Sequence, residues 1–192
     1  MPDLLTKPIT GGGTIVFDME TNGLLDDATQ IHCMALHWLE TGHTETFNDE
    51  CPGKGLSSPI LRGLQWLEVA DVVIGHNIIG FDLPLAKRLY PCFNYPAHII
   101  DTLLLSRLYH PNLYDIDDSR KIKNMPTNMY GRHSLESWGY RLNKYKGDFA
   151  KSTDWSQWSQ EMEDYCVQDV MVTKRLCTHF RPYLDGSKWN TR

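Results

Sequence analysis

Two acidic side chains interrupt a stretch of the sequence that otherwise has the composition of a buried β-strand. The segment 14–20 is rich in β-branched and aromatic residues, and Asn22-Gly23 follows it as a turn signal. Within this segment Asp18 and Glu20 stand two residues apart, so both side chains project from the same face of the strand. Carboxylates in such a place are costly unless they are paired or bind a metal ion. A structural or solvated pair at a strand end is the simpler alternative.

Two more acidic residues follow at positions where ligands often bind. Asp82 comes at the start of a helix, after the short strand 72–74, and ligands usually lie at such carboxyl ends of strands in open α/β sheets. Asp169 follows Tyr165 by four residues in a long helix, so the two side chains share one face. These residues also have ordinary interpretations. Asp82 could be only a helix N-cap, and Tyr165 and Asp169 could be a buried phenol and a salt-bridged carboxylate. The four acidic positions together favour a functional site.

The residue types at these positions indicate which ion the site would bind. Eight histidines show no HExxH or paired ligand spacing, so clustered carboxylates favour a hard, oxygen-liganded ion, Mg²⁺ or Mn²⁺, over zinc. Two such ions about 3.5–4 Å apart are the usual arrangement for displacement at phosphorus, where one activates the attacking water and the other neutralises the leaving oxygen. The phenol of Tyr165 could hold that water in line.

The elements that must position these residues alternate between strands and helices. Strand-like composition is found at residues 14–20, 31–39, 44–47, 72–74 and 99–100, with a hairpin turn at Thr41-Gly42. Helical spacing is found at residues 57–69, 83–90, 101–108, 134–142 and 159–180, the last with Ser159 as its N-cap. Residues 111–131 are polar and longer than an ordinary connection, which predicts a functional loop or a mobile segment. This order predicts an α/β fold, one mixed sheet flanked by helices.

Composition limits the class of protein. The chain has 192 residues, of which 41% are apolar, and this length suits one folded domain. We place that domain at residues 14–185, between a flexible leader (1–13) and a tail (186–192). No stretch approaches the roughly 18 uninterrupted apolar residues of a membrane span. Five cysteines without CxxC spacing, and no visible secretory signal, indicate reduced thiols in a cytoplasmic protein.

The net charge of −5 hides an uneven distribution of charged residues. Residues 1–50 contain nine carboxylates and one lysine, whereas residues 120–146 contain seven basic residues and one acidic residue. The basic run consists of Arg120, Lys121, Lys123, Arg132, Arg141, Lys144 and Lys146. It is either a solvated face or a strip that contacts the phosphates of a nucleic acid, with an affinity that weakens as salt rises.

Three motifs taken in order resemble a known enzyme family. Asp18-x-Glu20, Asn77-x4-Phe81-Asp82 and Tyr165-x3-Asp169 are similar to motifs I, II and III of the DEDD superfamily of 3′→5′ exonucleases. The tyrosine fits the subclass known as DEDDy, because the other subclass expects histidine at the position of Asp164. The similarity extends to the proofreading domain of the A-family DNA polymerases of short-tailed bacteriophages. The segments that carry this wider similarity are 100–108, 131–142 and 164–170, and the resemblance covers residues 14 to about 183.

The resemblance implies a ribonuclease H-like fold and a metal-dependent exonuclease that removes nucleoside monophosphates from the 3′ end of DNA. It implies that Asp18, Glu20 and Asp169 bind the metal ion nearer the attacking water, that Asp82 serves the second ion, and that Tyr165 orients the water. The predicted substrate-binding residues are Thr21, Asn22, Gly23, Leu24, Asn77, Phe81, Arg132 and His133. Of these, Leu24 would wedge against the terminal base. For His133 a capping or core role is an equal alternative to contact with a phosphate.

Several choices remain open at this point. The expected partners are single-stranded or frayed duplex DNA 3′ ends and, as an option, a separate DNA polymerase, with no membrane partner. An RNA-trimming enzyme could share the same core, because sugar discrimination depends on the pocket around the 2′ position. A non-catalytic nucleic-acid- or polymerase-binding module is the third alternative, although it should have lost a metal ligand or the tyrosine. The ending at Arg192 favours a free-standing exonuclease over an excised polymerase domain, with a role in phage DNA replication, proofreading or degradation in the host-cell cytoplasm.

Overall fold

The computed structural model describes residues 12–49, 59–144 and 154–189, and in this part of the chain five strands and six α-helices are formed. The strands are β1 (Thr14–Thr21), β2 (Ile31–Trp38), β3 (Thr44–Asn48), β4 (Val72–Gly75) and β5 (Ile99–Asp101). The helices are α1 (Pro59–Val69), α2 (Asp82–Leu89), α3 (Thr102–Tyr109), α4 (Leu113–Arg120), α5 (Leu135–Arg141) and α6 (Gln160–Leu184). Short 3₁₀ turns lie at Thr127–Met129 and Ser187–Trp189.

The five strands form one mixed sheet in the order β3-β2-β1-β4-β5. The first three strands are antiparallel neighbours, whereas β4 and β5 run parallel to β1. Strand β1, which carries the acidic pair, therefore lies in the middle of the sheet. In its pairing with β2, Asp18 lies opposite Ala35 and Glu20 lies opposite Cys33. The predicted fold class, a mixed sheet flanked by helices, is confirmed.

Alternation along β1 divides its side chains between two layers of the core. Ile15, Phe17 and Met19 are buried on one face, in a cluster with the apolar residues of α1 and α2. Val16 is buried on the opposite face against α6. Because successive side chains of a strand alternate, Asp18 and Glu20 share the face of Val16 and point toward α6. The long helix is therefore the element that covers the acidic pair.

Helix α6 also has a second packing surface. Toward its C-terminal half, Val172, Leu176 and Phe180 form a buried cluster with Trp138 of α5 and Leu113 of α4. One helix thus links the sheet to the smaller helices. Its start is as predicted, because the Ser159 hydroxyl oxygen accepts a hydrogen bond from the backbone N–H of Met162 at 3.2 Å.

The structure differs from the sequence prediction between residues 111 and 131. Where a long loop was expected, α4 and a 3₁₀ turn are formed. The polar composition of α4 gives no sign of a helix in the sequence, because the helix is stabilised by a residue outside the segment. Asp117 of α4 is fully buried and pairs with Arg141 of α5. The hairpin at Thr41-Gly42 forms as predicted, with Gly42 in the left-handed region at φ 71°.

Parts of other predictions fall outside the described residues. These parts are residues 1–11 of the predicted leader, 57–58 of the first predicted helix, Lys146 of the basic run, and 190–192 of the tail. Of the two leader residues that are described, Gly12 and Gly13, the second donates its N–H to the Asp71 carboxylate at 3.0 Å. Within the described ranges, no helix has both the length and the apolar character that crossing a membrane requires.

Candidate active site

The acidic pair on β1 faces a thiol of α6. One carboxylate oxygen each of Asp18 and Glu20, together with the Cys166 sulfur, lie within 4.8 Å of one another. The Cys166 thiol also donates a hydrogen bond to the backbone carbonyl of Asp18 at 3.4 Å. Residues 148 positions apart are therefore in direct contact, and the α6 face that carries Cys166 closes over the pair.

The same face of α6 carries the other two residues predicted on this helix. Asp169 lies three residues after Cys166 and four after Tyr165, so these side chains project from one side of the helix. Asp169 is buried, with 5% of its surface exposed, and Tyr165 is half-buried. The buried Glu163 fixes the first turn of α6, because its carboxylate accepts hydrogen bonds from Thr46 and Asn48 of β3. The sheet and the first turn of α6 thus set the rotation of the helix.

Asp82 reaches the site from the turn that follows β4. This turn is tight: a Cβ at Gly75 would stand 2.1 Å from the Ile78 Cγ2 atom, and Asn77 adopts a left-handed conformation with φ 67°. The Asn77 carbonyl accepts hydrogen bonds from the N–H groups of Gly80 and Phe81 at 3.1 and 3.0 Å. Asp82 then begins α2 as its first helical residue, and it is not the N-cap that the simpler interpretation offered.

A buried carboxylate that sequence analysis did not single out as functional holds this turn. Asp101 is 5% exposed, and its two oxygens accept hydrogen bonds from the backbone N–H groups of Asn77, Ile79 and Leu103 at 2.9 to 3.0 Å. One side chain therefore joins the turn before Asp82 to the start of α3. Its position at the end of β5 was the available sequence signal, because strand ends meet at one edge of the sheet.

The environment of Asp82 favours the neutral acid in the absence of a cation. Burial raises the pKa of the Asp82 carboxyl to about 7, and the negative charge of Asp101 adds to this effect. Hydrogen bonds from the backbone N–H groups of Asp82 and Met19 act in the opposite direction. Since Met19 lies between the two β1 carboxylates, Asp82 is adjacent to them. A positive charge placed there would favour ionised Asp82.

A cavity of about 370 Å³ opens beside the acidic pair. Its lining residues are Met19, Glu20, Thr21, Gly23, Leu24, Phe81 and Trp155. It therefore contains four of the predicted substrate-binding residues and one predicted metal ligand. Leu24 lies at its exposed edge, with 75% of its surface accessible. Trp155 was not predicted; an aromatic residue in the polar stretch just before α6 was its only sequence signal.

The loop after β1 shapes one wall of this cavity. The Asn22 side-chain oxygen accepts hydrogen bonds from the N–H groups of Thr29 and Gln30 at 2.8 and 3.1 Å, so this predicted substrate contact instead closes the loop. Arg88 of α2 donates a hydrogen bond to the carbonyl of Ala28 and ties the loop to the helix. A Cβ at Gly23 would stand 3.2 Å from the Ala28 nitrogen, which leaves little room for any side chain.

Besides Asn22, three predicted substrate-binding residues are not among those that line this cavity. Asn77 forms the turn before Asp82. His133 is half-buried, and its Nδ1 atom forms a hydrogen bond with the Ser106 hydroxyl at 2.7 Å, as in its alternative core role. Arg132 is exposed, and its carbonyl accepts a hydrogen bond from Arg141 at 2.8 Å.

The basic run is less available for phosphate contacts than its composition suggested. Arg141 is only 6% exposed in its side chain and forms two hydrogen bonds with the buried Asp117, at 2.9 and 2.6 Å. Lys121 is exposed but pairs with Asp118 at 2.5 Å. The prediction that Arg141 belongs to an exposed strip is therefore wrong, because its charge is used inside the fold.

Comparison with known proteins supplies the family. The family model of the RNase_H superfamily matches residues 15–181. The chain belongs to the RNase H superfamily.

Two curated relatives of this RNase H superfamily chain are phage enzymes. It is 32% identical over 187 residues to the DNA-directed DNA polymerase of Escherichia phage T7 and equally to that of Enterobacteria phage T3, covering 84% of this chain and 26% of each polymerase. The chain therefore spans about a quarter of the length of these relatives. The predicted similarity to phage DNA polymerases is confirmed.

Solved structures agree on the fold. Brucella melitensis NrnC bound to pGG superimposes with a TM-score of 0.58 at 21% identity, covering 97% of this chain and 79% of NrnC. The zinc-bound complex of Escherichia coli ExoI with single-stranded DNA gives a TM-score of 0.52 at 17% identity, covering 91% of this chain and 42% of ExoI. The predicted ribonuclease H-like fold is confirmed.

The donor set in this RNase H superfamily chain suits a divalent cation. The carboxylates of Asp18 and Glu20 have oxygens within 4.8 Å of each other on one strand face, and burial raises the pKa of the neighbouring Asp82 carboxyl to about 7. Oxygen-rich, negatively charged sites of this kind are those that Mg²⁺ and Mn²⁺ prefer. The arrangement fits hard-ion binding next to a cavity of nucleotide size.

Proposed function

We propose that the chain is a 3′→5′ exonuclease that hydrolyses the terminal phosphodiester bond of DNA and releases nucleoside monophosphates. The observation that carries the proposal is that Glu20 belongs both to the carboxylate pair and to the lining of the 370 Å³ cavity. A nucleotide held in that cavity would present its phosphate to the carboxylates. The DNA polymerases of phages T7 and T3 as sequence relatives favour DNA over RNA.

The proposed metal ligands are Asp18, Glu20, Asp82 and Asp169. Two divalent ions, Mg²⁺ or Mn²⁺, would supply activation of the attacking water and neutralisation of the leaving oxygen. The protein supplies the positions: β1 fixes Asp18 and Glu20 two residues apart, and the turn held by Asp101 fixes Asp82. Mg²⁺ is also named in the structure of Brucella melitensis NrnC, which shares this fold.

We assign the remaining predicted residues according to their positions. Tyr165 lies on the same face of α6 as Asp169, and its phenol would accept or donate a hydrogen bond that orients the attacking water. Leu24 and Phe81 line the cavity and would contact the terminal base and sugar. A nucleotide bound in this cavity would hold its phosphate in a fixed position beside the carboxylates. This restriction lowers the entropic part of the activation barrier for hydrolysis.

The direct test uses matched DNA and RNA oligonucleotides labelled at the 5′ end, incubated with Mg²⁺, with Mn²⁺ or with EDTA. We expect a descending ladder of DNA products with either ion and none with EDTA. The control is the same oligonucleotide labelled at the 3′ end, from which only the labelled mononucleotide should appear. A ladder on RNA alone would support the RNA-trimming alternative. Binding without cleavage would support the non-catalytic alternative and contradict the proposal.

Trp155 gives a second, independent test of the cavity. Aromatic side chains that stack on bases contribute about 1–3 kcal/mol per base, so we expect Trp155→Ala to raise KM for a short DNA substrate about tenfold while kcat changes little. Trp155→Phe should restore most of the affinity, because an aromatic face remains. The measurement is steady-state cleavage at varied oligonucleotide concentration.

The matched control is Trp66→Ala, which removes another half-buried tryptophan, on the α1 side of the sheet. Its KM should stay within about twofold of the wild-type value, because its ring packs edge-to-face against Trp38 and does not line the cavity. An equal rise in KM for both variants would show a general loss of stability and would remove Trp155 from the substrate site.

A further inference from the structure

A buried thiol pair lies directly behind the β1 carboxylates, and the proposed function gives it no role. Cys33 on β2 lies opposite Glu20 in the sheet. The thiol of Cys166 on α6 donates a hydrogen bond to the backbone carbonyl of Asp18. Both cysteines are fully buried, and both belong to the apolar cluster that lies between the sheet and α6. Sulfur donors therefore adjoin oxygen donors at the same place in the fold.

The separations are close to those of a metal site that combines sulfur and oxygen ligands. The Cys166 sulfur and one oxygen each of Asp18 and Glu20 lie within 4.8 Å of one another. In a tetrahedral zinc site, bond lengths of about 2.3 Å to sulfur and about 2.1 Å to oxygen place ligand atoms about 3.5 Å apart. The three atoms therefore need to approach one another by at most about 1.3 Å, which rotation of the two carboxylate side chains can supply.

The thiol must lose its proton to act as a ligand. A divalent cation held between the Cys166 sulfur and the carboxylates of Asp18 and Glu20 would bind the sulfur as thiolate, with the thiol proton released to solvent.

We propose that Cys166, Asp18 and Glu20 form a binding site for a thiophilic divalent cation of the Zn²⁺ or Cd²⁺ class. Sulfur ligands select such ions over Mg²⁺, which prefers oxygen. The site shares two ligands with the proposed Mg²⁺ or Mn²⁺ site, so the two kinds of ion exclude each other. The inhibition that follows rests on the proposed exonuclease function, whereas the binding itself does not.

Binding is tested by the ultraviolet charge-transfer absorption of a cadmium–thiolate bond, measured while Cd²⁺ is titrated into the metal-free protein. We expect one equivalent of Cd²⁺ to produce the band in the wild-type chain. The variants Cys166→Ala and Cys166→Ser should lose it, and the second preserves the size of the side chain. Asp18→Asn with Glu20→Gln should weaken Cd²⁺ binding at least about tenfold although both thiols remain.

The matched control is Cys92→Ala, which removes an exposed cysteine and should leave the band unchanged. A wild-type titration without a band, or a band that persists in both Cys166 variants, would overturn the proposal. A band unaffected by the carboxylate variant would also overturn it, since Cd²⁺ would then bind the thiols alone.

Inhibition is measured separately, as the Zn²⁺ concentration that halves Mg²⁺-supported cleavage relative to the activity of each variant without Zn²⁺. We expect this concentration to rise at least about tenfold in Cys166→Ser and to stay unchanged in Cys92→Ala. If the protein binds Cd²⁺ through Cys166 but cleaves no nucleic acid, the site for a thiophilic cation is supported and the exonuclease function is refuted. If it cleaves DNA but shows no cadmium band, the exonuclease function is supported and the site for a thiophilic cation is refuted.

Discussion

The double variant Asp18→Ala with Glu20→Ala should cleave DNA at least about 10⁴-fold more slowly than the wild-type chain in Mg²⁺. Both side chains project from β1 toward the same face of α6 and have oxygens within 4.8 Å of each other. Their removal would take two ligands from the proposed metal site and with them several kcal/mol of transition-state stabilisation. Single-turnover cleavage of a 5′-labelled oligonucleotide measures the effect on the chemical step.

The same variant should keep its fold. Two carboxylates on one strand face repel each other when no cation is present, so the melting temperature of the double variant in EDTA should equal or exceed that of the wild-type chain. The increase in melting temperature that Mg²⁺ produces in the wild-type chain should be absent, because the ion stabilises only a protein that binds it.

The matched control for this variant is Asp26→Ala with Asp27→Ala. It removes the same charge from two exposed residues in the loop after β1, and its activity should stay within about threefold of the wild-type value. Retention of more than a tenth of the activity after loss of Asp18 and Glu20 would contradict the assigned site. A collapse of activity in the control would assign the effect to general charge and not to the two ligands.

Replacement of Asp117 by Asn should have the largest effect on stability, lowering the free energy of unfolding by about 3–5 kcal/mol at pH 7. The Asp117 side chain is fully buried and accepts two hydrogen bonds from Arg141 and one from the Gly131 N–H. Asn would leave the buried guanidinium without a compensating charge, which is costly inside a protein. Urea denaturation monitored by tryptophan fluorescence provides the measurement.

The cost of this substitution should depend on pH. Burial of Asp117 opposes its ionisation, but the hydrogen bonds from Arg141 and Gly131 and the nearby positive charges outweigh burial, so its pKa is lowered. A lowered folded-state pKa adds stability that is complete above the ordinary aspartate pKa of about 3.9 and is lost as pH falls through the folded-state value. The difference between wild type and Asp117→Asn should therefore shrink below about pH 4.

Two comparisons make this prediction specific. Asp118→Asn breaks the exposed pair with Lys121 and should cost less than about 1 kcal/mol, as surface ion pairs do. Combining Asp117→Asn with Arg141→Met should recover part of the loss, because no uncompensated charge then remains buried. A cost below 1 kcal/mol for Asp117→Asn would mean that the pair does not support α4 and α5.

The parts of the fold that sequence analysis predicted correctly are those with local signals. Strand β1 has alternating side chains and a turn signal at its end, and α6 has helical spacing and an N-cap at Ser159. The motif spacing placed Asp82 at the start of α2, where it is found. These features depend on residues a few positions apart, so the sequence alone contains enough information to predict them.

The features that were missed depend on contacts between distant segments. Helix α4 is supported by hydrogen bonds between Asp117 and Arg141, which are 24 residues apart. Asp117 lies before residue 120, so a count of charges along 120–146 includes Arg141 but not its acidic partner. Cys166 was interpreted only as a reduced thiol, because nothing in its surroundings along the chain predicts contact with Asp18. Trp155 reaches the cavity from a stretch without periodicity. Such contacts emerge only when the sheet and α6 are assembled.

The central place of β1 in the sheet has a consequence for how the molecule can adapt. Strand β2 pairs with β1 at Asp18 and Glu20, and β4 pairs with residues 14–16, so the backbone positions of the two acidic residues cannot separate without breaking the hydrogen bonds to β2. The wall of the cavity, in contrast, belongs to a loop fastened by the side chains of Asn22 and Arg88. In the proposed exonuclease, changes in that loop would therefore alter which nucleotide is accepted and leave the carboxylates in place. Evolution or design could change specificity and chemistry independently.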